Sequence, residues 1–149
     1  MRFLALLFVL FILSMAQGQT LGEAGAGQID IPDSWVSYEG VWLNPEQTLF
    51  VHFQPLGRKG DLAQFSESVR ARLVEQGGDK LLTATQMRDL GKSRVAYWRS
   101  KSKNNLLSLN YLISKDGNMV SLLLTFVRTP TEVEVQSWEI GRASCRERV

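Results

Sequence analysis

The sequence predicts a single α+β domain, an antiparallel sheet of about five to six strands flanked by helices. Three observations carry that expectation. One helical repeat of apolar residues stands in the middle of the chain, a series of alternating apolar segments separated by short turns follows it, and a capped helix start comes after the last of them. The 149 residues are 44% hydrophobic, 21% charged and 9% aromatic, which suits one domain with a core of its own.

Taken in order, Met1-Arg2, the unbroken apolar run Phe3 to Leu13 and the small-residue stretch through Gly18 have the three regions of a secretory signal peptide. The apolar run falls well short of the roughly 20 residues that a transmembrane helix needs. Export with cleavage after Ala16 or Gly18 is therefore expected, with residues 1–18 removed. Residues 19–28 are Gly/Ala-rich without apolar period and read as a flexible lead into a domain spanning 29–138. Pro32-Asp33 marks a turn, Trp35 to Trp42 is rich in strand formers, and Asn44-Pro45-Glu46-Gln47 is a second turn. Beyond it Thr48 to Gln54 alternates Leu49, Val51 and Phe53 against Thr48, Phe50 and His52, the second strand of a hairpin. Leu62, Phe65, Val69 and Leu73 recur at helical spacing between an Asp61 N-cap and a Gly77-Gly78 stop, with Glu67, Arg70 and Glu75 on the polar face.

Strands are then expected over Leu81–Leu90, Arg94–Ser100, Leu106–Ser114 and Met119–Val127. Asp116-Gly117 between the last two is the strongest hairpin signal in the chain, and the long apolar faces of both strands place them centrally in the sheet. Thr129-Pro-Thr-Glu132 reads as a capping box opening a final helix toward Trp138. That helix is read as truncated, because Glu139 to Val149 has no apolar period and resembles the conceptual translation of a common short-read sequencing adapter.

The formal net charge of +2 does not survive this dissection. Without residues 1–18 and 140–149 the chain carries 13 basic against 14 acidic residues, near neutrality. The charge therefore gives no ground for nucleic acid as a partner. One cysteine and one histidine exclude an intramolecular disulfide and a Cys/His zinc site. No nucleophile elbow, zinc-protease motif, phosphate loop or dinucleotide fingerprint is present, so no catalytic, metal or cofactor residues are assigned and no cofactor is expected. His52 reads as a solvated strand histidine, with a catalytic base as the minority reading. Asp30, Asp33, Asp79 and Asp89 leave a carboxylate pair open, which is all that glycoside hydrolysis requires. The mixture of Tyr97 and Trp98 with Arg94, Arg99, Lys101 and Lys103 marks a candidate partner-contact strand.

The opener Ile31-Pro-Asp-Ser-Trp35, the helix residues Phe65, Val69 and Leu73, Gly91 followed by Val95-Ala96-Tyr97, and the closing strand running into Thr129-Pro130 resemble the PsbP/DcrB-like superfamily. The resemblance covers about residues 29 to 138. It implies an α/β/α sandwich and a non-enzymatic accessory or binding module, since no shared catalytic residues exist to carry over. An exported protein, periplasmic or extracellular, that recognises a protein partner or apolar segment of the cell envelope follows from it, with contacts expected at Tyr97, Trp98, Arg94, Arg99 and Lys101. The sequence leaves the oligomeric state unknown. The alternatives are a small-molecule or lipid carrier and a carboxylate-dependent hydrolase. A carrier requires a closed apolar pocket of about 300 Å³ or more. An enzyme requires titratable groups converging in a cleft, and a partner module requires an exposed apolar patch.

Overall fold

The computed structural model describes residues 19–21, 29–31, 33–39 and 41–139. The apolar N-terminal run, both cleavage positions and the segment from Ile140 onward lie outside the described residues. Two short strands, β1 (Gln19–Leu21) and β2 (Ile29–Ile31), pair antiparallel with each other, so the first residues of the segment read as a flexible lead are in a ladder.

The main sheet has eight antiparallel strands, more than the sequence suggested, because two predicted strands are each divided. Trp35–Trp42 folds back on itself: β3 (Val36–Tyr38) and β4 (Val41–Leu43) pair around a turn at Glu39, whose φ is 50°. A turn at Glu39 breaks what alternation alone reads as one strand. The stretch 81–90 likewise gives β6 (Lys80–Leu81) and β7 (Gln86–Leu90), which pair side by side along the same edge of β8 (Ser93–Lys101). With β5 (Leu49–Arg58), β9 (Leu107–Lys115) and β10 (Asn118–Phe126), the order is β3-β4-β5-β10-β9-β8-β6. β9 and β10 are central, as their two long apolar faces require. They are joined by Asp116 and Gly117, both at positive φ (52° and 82°), the backbone that a two-residue hairpin of matching twist needs.

β5 runs past its expected end. The register against β10 shifts between Met119 and Val120, so Leu56 is an extra residue on β5. β4 pairs only with Phe50, Val51 and His52, which leaves the outer edge of β5 from Phe53 onward without a strand among the described residues, and Pro55 lies on that edge.

Helix α1 (Leu62–Gly77) forms as predicted. The Asp61 carboxylate accepts from Gln64 N–H at 2.9 Å, and Gly78 ends the helix in the left-handed region at φ 69°. Its stripe of Leu62, Phe65, Val69 and Leu73 packs on Ala96, Trp98, Leu112 and Met119. Helix α2 (Glu132–Ser137) is short, and its cap is Thr131 rather than Thr129: the Thr131 hydroxyl accepts from Glu134 N–H at 3.2 Å. The cap thus sits two residues beyond the expected one. Val135 of α2 packs into the cluster of Trp35, Trp42, Val51, Tyr97, Leu109, Tyr111, Leu122 and Leu124 on the other face of the sheet. We call the two surfaces of the sheet the α1 face and the α2 face.

Candidate functional site

Alternation along β8 separates the sequence-predicted contact residues. Arg94, Ala96, Trp98 and Ser100 point to the α1 face, and Val95, Tyr97, Arg99 and Lys101 to the α2 face. Both aromatic rings are inside, Tyr97 at 5% and Trp98 at 1% exposure, so neither offers a surface to a partner. β8 lies between two covered faces, and a central strand buries an aromatic on either side. Arg94 and Lys101 are exposed, and Arg94 pairs with Asp89 at 3.6 Å.

Arg99 belongs to an internal network. Its guanidinium pairs with Glu132 at 3.3 Å and with Glu139, and its Nε donates to the Tyr97 hydroxyl at 3.0 Å. Tyr97 in turn donates to Glu139 at 3.2 Å and stacks on Tyr111 with 4.8 Å between ring centres. The Tyr111 hydroxyl donates to the Trp138 carbonyl at 2.6 Å, and Trp138 meets Trp35 edge-on at 5.4 Å. Burial opposes the Arg99 charge, but Glu139 and Tyr97 outweigh it and hold the group above its ordinary value. Burial pushes the Tyr97 and Tyr111 hydroxyls up as well, which keeps both protonated as donors. The network fastens α2 to the sheet.

On the α1 face Arg70, read from sequence as part of a solvated helix face, instead folds inward. Its guanidinium lies 5.7 Å from the centre of the Trp98 ring and donates to Thr83 O (3.1 Å) and Thr85 Oγ1 (2.8 Å). Trp98 Nε1 is buried without a hydrogen-bond partner. Ser100 and Asn110 hydrogen-bond to each other at 3.0 Å beneath the end of α1, where burial raises the Asp79 carboxyl above its ordinary 3.8 and the Ser100 hydroxyl partly offsets the rise.

These groups bear on the enzyme and carrier readings. Asp89 is paired with Arg94 and Asp79 faces Ser100, so these two of the carboxylates suggested by sequence have separate partners. His52 is exposed on β5, with Leu123 and Val41 as its cross-strand neighbours. Among the described residues no three His, Cys, Asp or Glu side chains are grouped to hold a metal. A cavity of about 220 Å³ opens between β5 and α2, lined by Asn44, Thr48, Phe126, Glu134 and Trp138, with the Arg128–Glu134 pair (3.0 Å) among its walls. It is smaller and more polar than a pocket for an apolar ligand.

What sequence reading missed is on the α1 face beyond the helix. α1 packs over β6, β8 and β9, and among the described residues no helix lies over β3, β4 and the first half of β5 on this face. Two rows of cross-strand neighbours cross this half of the sheet. One is Ser108-Thr125-Phe50-Leu43-Val36 and the other Asn110-Leu123-His52-Val41-Tyr38. Their outer members are exposed: Tyr38 at 74%, Val36 at 54%, Phe50 at 37%. The opposite side of the same strands is also apolar, with Trp42, Leu49 and Val51 buried. An antiparallel sheet with one face in water alternates apolar with polar residues. β5 does so apart from Phe50, whereas β4 is apolar at all three positions and β3 turns Val36 and Tyr38 to the exposed face, so the apolar departure lies at the β3–β4 edge and Phe50.

The fold has a solved counterpart. It is similar to the solution structure of cyanobacterial PsbP (CyanoP) from Synechocystis sp. PCC 6803, with a TM-score of 0.55, covering 80% of this chain and 84% of that one. The chain has a PsbP-like fold. At 12% identity the likeness is one of backbone architecture, and it bears out the PsbP side of the sequence resemblance. No family model and no curated protein matches the sequence.

Proposed function

We propose that this chain is an exported, non-enzymatic accessory protein that docks a protein surface or apolar segment of the cell envelope through the open half of its α1 face. The observation that carries the reading is the apolar block in which Val36, Tyr38 and Phe50 are exposed and the half-buried Val41 and Leu43 lie between them. Exposed apolar surface of this kind on a small domain marks an interaction site. The PsbP-like architecture agrees with an accessory role, and the signal-like pattern of residues 1–18 supports export. No helix among the described residues is long and apolar enough to cross a membrane. Of the contact residues expected from sequence, Arg94 and Lys101 remain on the surface, but on β8, away from the open half of the sheet.

The reading is tested by placing a photo-cross-linking residue at Tyr38 and, separately, at the exposed Glu75 of α1 in cells that export the protein. Adducts from position 38 and not from 75, recovered in the envelope fraction, are the expected result. Equal adducts at both positions, or retention of the chain in the cytoplasm, overturn it.

A further inference from the structure

We propose that the surface covering this patch is the same patch on a second copy of the chain, so that two copies meet α1 face to α1 face about a two-fold axis; the inference rests on the patch being a docking surface. Charge is the first argument. Neither cross-strand row contains Asp, Glu, Lys or Arg, although the chain is 21% charged. A surface that meets its own copy has like opposite like near the axis, so an uncharged patch is self-complementary where a charged one repels. The one basic side chain in the two rows is the His52 imidazole.

Layer geometry is the second argument. A helix on a sheet and a sheet on a sheet both stand roughly 10 Å above it. α1 fills that layer over β6, β8 and β9. The β3–β5 half of a second sheet fits level with α1 over the remainder, and the two-fold operation places each α1 beyond the β3 edge of the other copy. The inner rows then interdigitate as in a sheet sandwich. Only three large apolar side chains on this face, Val36, Tyr38 and Phe50, are exposed on each copy, a small patch beside those of permanent dimers. A reversible dimer is expected, in exchange with monomer.

Sedimentation velocity on the processed chain from micromolar to about 0.5 mM reads the association directly. The expected result is a concentration-dependent monomer–dimer equilibrium. It weakens at least ten-fold in Tyr38→Glu and in Val36→Lys, whose side chains are exposed and whose folding is checked by circular dichroism. Mixing the two variants restores association above that of either alone. A chain monomeric throughout the range overturns the inference, and so does a dimer indifferent to both substitutions. The position-38 cross-linker separates this from the broader reading. An adduct of twice the chain mass supports self-association. An adduct only with a different protein overturns the self-association and leaves the docking surface standing, and no adduct overturns both.

Discussion

Single side chains decide how firmly each face is closed. Tyr111 holds the end of α2 through one hydrogen bond to the Trp138 carbonyl. Tyr111→Phe removes the donor and leaves the ring, and is expected to cost about 1 kcal/mol in urea unfolding. Trp98 presents the opposite case, since its indole N–H is buried without a partner beside the Arg70 guanidinium. Trp98→Phe keeps most of the packing and removes a donor already stripped of water. Its cost is expected below about 1 kcal/mol, against about 3–5 for Trp98→Ala. Asp79 gives a pH signature. Burial raises its folded value above 3.8, so the native state holds the proton more tightly than the unfolded chain, and stability falls as pH rises through that window. Asp79→Asn is therefore expected to be more stable than the parent at pH 7. The difference should vanish in acid below 3.8, where both states of the parent are protonated. Thermal melts across pH read the sign, and a variant less stable at pH 7 contradicts it.

At the scale of elements, local chemistry specified most of what formed. Asp61→Ala is expected to cost about 1 kcal/mol, because the carboxylate satisfies the Gln64 N–H that the first turn leaves open. The Asp61 cap, the Gly78 stop and the Asp116-Gly117 hairpin were all legible, since each depends on residues within one turn of one another. Three other features were not. Glu39 divides a predicted strand because it takes a positive φ, a conformation that no alternation pattern encodes. Tyr97 and Trp98 looked like a recognition strip because adjacent aromatics among cations suit a surface. Their burial follows from β8 having a neighbour strand on each edge and cover on each face, which only the tertiary arrangement supplies. The apolar character of Val41, Leu43 and Phe50 was visible, but a half-exposed and a fully buried strand of this length read alike. Only the placement of α1 over the far half of the sheet leaves Phe50 exposed and Val41 and Leu43 half-buried.

For the whole molecule, stability is expected to be graded across the sheet. Amides of β9 and β10, central in the sheet with a strand on each edge, should exchange with solvent most slowly, and those of β3, a short edge strand, fastest. Hydrogen exchange at increasing protein concentration should slow β3 and β4 selectively if the open half pairs with itself. One more feature governs what kind of assembly this chain tolerates. The outer edge of β5 beyond His52 has no strand beside it among the described residues, yet Pro55 offers no N–H there and the extra Leu56 bends the ladder. An unprotected edge recruits a strand whose own far edge recruits the next, and such growth has no last member. Contact through a face about a two-fold axis uses up its surface in a single step. The chain thus keeps its sticky surface where association terminates and a proline where it would propagate, so crowding produces pairs and not fibres.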